Sequence, residues 1–197
     1  MTRSARRPFG GTLAAAACAI FGLAACGGGT VSDPSLKGSQ TLAFAYFQRC
    51  VDPIFLKPLP ITLNGVTTTN TCAAARCHDA TTGTGGAFRI IASAQVVDLS
   101  NPANTPDVIR ATDMYKNFTS AQGETVIGSP PQSLLLNKPL VQNVLHGGGL
   151  IFASNTDPNV LTMDYWISNP SPPGQDEFSA ATYSMFTPPD PMTGTCN

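Results

Sequence analysis

The cysteine pair Cys72 and Cys77, followed at once by His78, is the feature that most constrains how this chain folds. Closely spaced cysteines form a disulfide, bind a metal or attach a cofactor, and each of these fixes the local backbone. The chain has six cysteines but only two histidines. One histidine directly follows the pair, and the other, His146, begins a glycine turn at residues 146–149.

The first 25 residues have the organisation of an export signal. Three arginines precede an apolar stretch, residues 13–25, which is too short to remain in a bilayer as a span. Residues 23–26, Leu-Ala-Ala-Cys, resemble the lipobox of bacterial lipoproteins. The resemblance implies cleavage before Cys26 and attachment of a lipid to it.

Residues 26–37 predict a flexible tether, because three glycines and several small polar residues follow Cys26. Glycine rather than aspartate at position 27 favours, by analogy with lipoprotein sorting in Gram-negative bacteria, the outer membrane of the cell envelope. No later segment is long and apolar enough to span a bilayer. We therefore expect contact with the lipid bilayer through the N-terminal lipid.

Composition narrows the class of protein further. The signal carries three of the 11 basic residues and none of the 12 acidic ones, so the mature chain is acidic and has no basic patch for nucleic acid. Its 18 glycines and 17 prolines indicate long loops. Export places four cysteines in an oxidising compartment, where free thiols rarely persist: Cys50, Cys72, Cys77 and Cys196.

Apolar periodicity predicts a helix from Ser39, with Phe44, Phe47, Val51 and Phe55 on one stripe. Residues 57–71 contain two prolines, Asn-Gly and a threonine run, which indicates a turn-containing loop or a short hairpin.

Three further helix starts follow the hairpin region. Residues 105–107, Thr-Pro-Asp, begin one helix, Ser-Pro-Pro at 129–131 a shorter one, and Asp-Pro at 157–158 a third that is rich in core candidates. The sequence thus predicts a mainly α domain over residues 38–170 and a Pro-rich tail over 171–197.

The C-x4-C-H segment resembles the attachment motif of c-type haem. In that motif two cysteines form thioethers with the haem vinyl groups, and the following histidine ligates the iron; the familiar spacing leaves two residues between the cysteines. The resemblance implies haem c bound by Cys72, Cys77 and His78, although four intervening residues depart from the usual pattern.

Three other segments extend the resemblance. Residues 50–55, 128–135 and 161–167 are similar to parts of small cytochrome c-like domains of planctomycetes and proteobacteria. Members of that family often carry a Met-Pro-Pro turn that supplies the sixth iron ligand, where this chain has residues 146–149. The resemblance implies a monohaem electron carrier, not an enzyme, that passes single electrons between redox partner proteins at the cell envelope.

The two histidines lead to a specific hypothesis: one haem iron lies between His78 and His146. Glycines beside His146 allow the backbone to approach a flat cofactor closely. Two imidazoles give a lower reduction potential than a His/Met pair, because methionine ligation raises it. A haem enzyme would instead need an open sixth position.

Several alternatives remain open at this level. Cys72 and Cys77 form a structural disulfide, or they bind zinc with His78 and either Cys50 or His146. His146 is a surface-turn residue without a ligand role. Three methionines are rival sixth ligands: Met163, Met185 and Met192.

The resemblance also implies a disulfide between Cys50 and Cys196, because the first and last helices of cytochrome c-like folds pack together. Pairing of Cys50 with Cys72 would instead prevent haem attachment through both cysteines. The alternative function is a disulfide-stabilised structural or binding lipoprotein without haem.

Overall fold

The computed structural model of the protein describes residues 40–197. These residues belong to one compact unit. The predicted signal peptide, the predicted lipid site at Cys26 and the predicted tether at 26–37 lie outside the described residues. Within residues 40–197, no helix is long and apolar enough to cross a membrane.

The first helical segment has three parts: α1 (Phe44–Tyr46), a π-helical turn (Phe47–Val51) and α2 (Asp52–Leu56). The π-helical turn ends two residues before Pro53, whose ring removes one backbone N–H from the helical ladder. The predicted apolar stripe is confirmed, since its four members are all buried: Phe44, Phe47, Val51 and Phe55.

An antiparallel hairpin follows, formed by β1 (Leu59–Leu63) and β2 (Val66–Asn70). Its two-residue turn is Asn64-Gly65, and both turn residues have positive φ, at 51° and 79°. Asn-Gly is the sequence that such tight hairpin turns favour, so the predicted hairpin is confirmed. Every residue of β2 is exposed.

The helix predicted from Thr105 is two helices, α3 (Pro106–Arg110) and α4 (Asp113–Gln122). The first helix ends at Arg110, and Thr112 caps the second, because its side chain accepts a hydrogen bond from the Tyr115 N–H.

The remaining elements are short. A 3₁₀ turn (Pro130–Gln132) leads to α5 (Leu134–Asn137), and Asp157 caps α6 (Pro158–Ser168), as predicted. Beyond α6 lie a 3₁₀ segment (Ala180–Met185) and a second antiparallel pair, β3 (Phe186–Thr187) and β4 (Thr195–Cys196).

The prediction of a mainly α fold is wrong. Residues 40–197 form a small α/β fold with six short α-helices and two small antiparallel sheets. The longest helix, α6, has only 11 residues. A glycine or proline lies within two residues of the end of α2, α4, α5 and α6, and residues 71–104 contain no helix at all.

The core joins the first helical segment to α6. The Trp166 indole N–H donates to the Ala43 carbonyl over 3.0 Å, and its ring lies 5.3 Å from that of Phe47. The C-terminal residues also belong to this core, since Met185 and Phe186 are buried and Phe186 packs against Tyr46. The packed helices hold one wall of the site described next.

Candidate functional site

The cysteine segment 72–78 is a series of turns rather than a helix. The His78 N–H donates to the Cys72 carbonyl over 2.9 Å, and the Cys77 N–H donates to the Ala74 carbonyl over 3.0 Å. Arg76 has a φ of 67°, in the left-handed region. These turns bring Cys72, Cys77 and His78 to the wall of a single cavity.

The His78 ring is held by a backbone hydrogen bond. Its Nδ1 lies 3.1 Å from the Phe88 carbonyl oxygen, and its ring centroid lies 4.7 Å from that of Phe88. A carbonyl only accepts, so Nδ1 carries the proton and Nε2 keeps its lone pair. Burial lowers the pKa of His78, which keeps the ring in the neutral form that binds metals.

Gly85 makes room for that imidazole. A Cβ at this position would lie 2.5 Å from His78 Nδ1 and 2.7 Å from the Cys77 carbonyl oxygen. The Gly85 N–H also donates to the same carbonyl over 2.8 Å. The glycine-rich segment 83–86 therefore packs directly against the cysteine loop, and only a residue without a side chain fits at position 85.

The His146 ring is also held by a hydrogen bond between its Nδ1 and a backbone carbonyl. Its Nδ1 lies 2.8 Å from the Gly149 carbonyl oxygen, which again leaves Nε2 as the nitrogen with a free lone pair. The Gly149 N–H donates back to the His146 carbonyl over 2.8 Å, closing the turn. Histidines that bind metals commonly donate their second ring N–H to a carbonyl in this way.

The two imidazoles come together although 67 residues separate them in the chain. Their ring centroids are 6.1 Å apart and their planes are 8° from parallel. Metal–imidazole bonds of about 2 Å place the centroids of two opposed rings roughly 6 Å apart. The distance between the His78 and His146 ring centroids matches this value.

A cavity of about 430 Å³ lies beside these rings, within the size range of ligand sites in proteins. Both histidines, Cys72 and Cys77 line it. Its remaining wall is largely apolar and comes from α2, β1, α5, the segment after the 83–86 glycines and the segment after the glycine turn at 146–149: Ile54, Phe55, Leu59, Phe88, Leu135, Ile151 and Phe152. Such a wall suits a flat hydrophobic cofactor better than a small polar substrate.

The cysteines separate into two classes. Cys50 and Cys196 are joined by a disulfide of 2.04 Å, the pair that the family resemblance implies. Cys72 and Cys77 carry free thiols. Burial raises the pKa of the Cys72 thiol to about 11, so little thiolate is present at pH 7 to attack a disulfide. Cys50 is consequently neither a partner of Cys72 nor a metal ligand.

A structural zinc site needs four ligands, usually cysteine and histidine. The described part of the chain contains no group of three or more His, Cys, Asp or Glu side chains placed to hold a metal ion. A porphyrin supplies four nitrogens itself and needs only two axial ligands, the number that His78 and His146 provide.

Of the three rival methionines, only Met163 lines the cavity. It is buried on α6, with 1% of its surface exposed. Met185 belongs to the core near the C-terminus, and Met192 lies outside the cavity wall. Met163 is thus the remaining competitor of His146.

Two cavity residues, Gly85 and Phe88, were not predicted from the sequence to contact His78. Gly85 and Phe88 fix the orientation of His78, and the 83–86 glycines were the available clue. Arg76 and Lys138 bring positive charge to the wall, where Lys138 lies 3.6 Å from a Glu124 carboxylate oxygen. Glu124 also lines the wall, so the charge of Lys138 is paired there.

No family model matches the chain, and no curated protein or solved structure matches it either. The chemistry of the site rests on its own residues.

Proposed function

We propose that this protein is a c-type cytochrome of the cell envelope that transfers single electrons through one covalently bound haem. Cys72 and Cys77 attach the haem, and His78 and His146 are its axial ligands. The carrying observation is the pair of nearly parallel imidazoles, 6.1 Å apart, each with Nδ1 bonded to a backbone carbonyl.

The cavity supports this assignment because four attachment groups converge on one apolar space. Both thiols, both imidazoles and about 430 Å³ of largely apolar volume belong to the same site. Haem, when bound, supplies the one-electron couple of its iron. The chain's own residues hold it, exclude water from its faces and keep both axial positions filled.

Two neutral imidazoles determine the expected redox behaviour. Methionine ligation raises the potential of haem iron, so a bis-histidine site has a lower potential than a His/Met site. Because His78 and His146 would both ligate the iron, the bound haem would have no open site for oxygen or peroxide. This supports electron transfer between redox partner proteins rather than enzyme chemistry.

The test is to express the protein with a c-type maturation system and to measure its pyridine haemochrome spectrum. We expect a c-type spectrum with one haem per chain, lost when Cys77 is changed to Ala (Cys77→Ala). A colourless wild-type protein whose Cys72 and Cys77 are joined by a disulfide would overturn the proposal.

The alternative function is a disulfide-stabilised structural or binding lipoprotein without haem. Its support is the Cys50–Cys196 bond, which ties the first helical segment to the last strand without any cofactor. Alkylation of the denatured protein, before and after reduction, separates the two functions. In the haem-free alternative, Cys72 and Cys77 react or are disulfide-bonded; in the cytochrome, both are blocked by haem.

Attachment to the outer membrane belongs to the same proposal and rests on the N-terminal sequence alone. The expected lipid is on Cys26, after removal of residues 1–25. Labelling with radioactive palmitate should mark the wild-type protein and fail with Cys26→Ala. Membrane fractionation of a Gram-negative host then tests the location, and recovery in the inner membrane would contradict it.

A further inference from the structure

His146 lies in a loop that is hydrogen-bonded to the rest of the chain mainly through the residues that follow it. Among the described residues, the backbone of residues 143–148 makes one hydrogen bond, in which the His146 carbonyl accepts from Gly149. Asn143 has a φ of 58°, and the Leu145 side chain is 89% exposed. The segment before His146 therefore gives its imidazole little support.

The support comes instead from the residues that follow. Leu150 and Thr62 exchange two backbone hydrogen bonds, each of 2.8 Å, which adds this segment to the β1–β2 hairpin as a short bridge. The Ile151 N–H then donates to the Pro139 carbonyl over 2.9 Å. Gly149, whose carbonyl binds His146 Nδ1, is thus attached directly to the edge of β1.

Position 149 accepts only glycine for two independent reasons. Its φ of 85° lies in the left-handed region that L side chains rarely adopt. A Cβ there would also clash with the Thr62 carbonyl oxygen and come within 3.1 Å of the Leu63 Cβ. The close approach of Gly149 to β1 and the position of the imidazole are therefore coupled through a single residue.

We propose that the β1–β2 hairpin positions the sixth iron ligand, with Thr62 and Gly149 as the positioning residues. This inference rests on the proposed function, since it concerns how His146 is held against the haem iron. Every residue of β2 is exposed, so the element that positions His146 lies at the surface of the protein. Displacing the hairpin edge detaches His146 and opens the iron to outside ligands.

The test compares Gly149→Ala with Gly174→Ala in the haem-loaded protein. Gly174 has nearly the same φ, 80°, but it is exposed, lies outside the cavity wall and has open space where a Cβ would be. The control therefore imposes the backbone strain without the contact with Thr62. A second variant, Thr62→Pro, removes the N–H that donates to Leu150; that N–H belongs to the bridge.

We expect Gly149→Ala and Thr62→Pro to keep one haem per chain but to lose the low-spin absorption spectrum. Their reduced forms should bind carbon monoxide, and added imidazole should restore the low-spin spectrum. Gly174→Ala should remain low-spin and should not bind carbon monoxide. If Gly149→Ala does not fold, Thr62→Pro alone decides the result.

Low-spin spectra in both Gly149→Ala and Thr62→Pro, with wild-type haem content, would overturn the positioning role and leave the cytochrome proposal standing. A wild-type protein that takes up no haem would overturn both. A high-spin spectrum in Gly174→Ala equal to that of Gly149→Ala would also overturn the positioning role, because strain at a distant loop would then suffice.

Discussion

The imidazole rings of His78 and His146 lie 8° from parallel with their centroids 6.1 Å apart. Each ring is fixed by a carbonyl from a different loop, Phe88 for one and Gly149 for the other. In both histidines the carbonyl therefore binds Nδ1 and leaves Nε2 with the free lone pair.

His146→Ala should convert the haem from low-spin to high-spin while leaving one haem per chain, because the thioethers and His78 remain. Met163→Leu is the matched control, since leucine keeps the volume and apolar character of the one methionine on the cavity wall. Absorption spectra of the oxidised proteins measure both. A high-spin spectrum in Met163→Leu alone would assign the sixth ligand to Met163 instead.

Gly85→Ala should displace His78, because the new Cβ would lie 2.5 Å from Nδ1 and 2.7 Å from the Cys77 backbone carbonyl. Overpacking of this kind costs about 1–3 kcal/mol of folding free energy. Urea unfolding and haem content measure the effect. Gly123→Ala is the control, since its φ is −61° and its nearest contact would be an ordinary 3.4 Å. Equal stability of the two variants would contradict the expectation.

The site is more predictable from the sequence than the fold is. Two histidines and one cysteine pair are so few that chemistry alone suggests grouping them, and the structure brings all four to one cavity. Gly85 was not predicted to contact His78, because a glycine-rich segment shows that close packing occurs but not which side chain is approached. That information exists only in the folded chain.

The prediction of the fold class is wrong for a physical reason, which residues 71–104 illustrate. This segment is held by long-range polar contacts rather than by its own periodicity. Gln48 is buried, and its side chain exchanges two hydrogen bonds with the Val97 backbone, at 2.9 and 3.1 Å. Asn117 does the same with Ile91. Neither pair produces a pattern in the local sequence, so helix periodicity elsewhere dominates the prediction.

The Cys50–Cys196 disulfide should be the main covalent source of stability in the described residues. It joins residues 146 apart, and the chain-entropy model assigns a loop of this size about 5 kcal/mol. Cys50→Ala should therefore lower the free energy of unfolding by several kcal/mol, measured in urea without haem. Cys72→Ala, at a free thiol, is the control. A reducing agent should weaken wild type but not Cys50→Ala.

Asp52 should make the protein more stable as pH falls from about 6 to about 4. The side chain is buried, with one hydrogen bond from Asn117 Nδ2 at 3.0 Å, and burial raises the pKa of Asp52 to about 6. An unfolded aspartate has a pKa of about 3.9, so between these values the folded state binds a proton that the unfolded state does not, and folding is favoured. Above pH 6 both states are ionised and the buried charge costs about 3 kcal/mol.

Asp52→Asn should remove this pH dependence and raise stability at pH 7, measured by urea unfolding between pH 4.5 and 7.5. Asp107→Asn removes the same charge from a side chain that is 97% exposed, and it should leave the slope unchanged. A wild-type slope retained in Asp52→Asn would show that another group binds the proton.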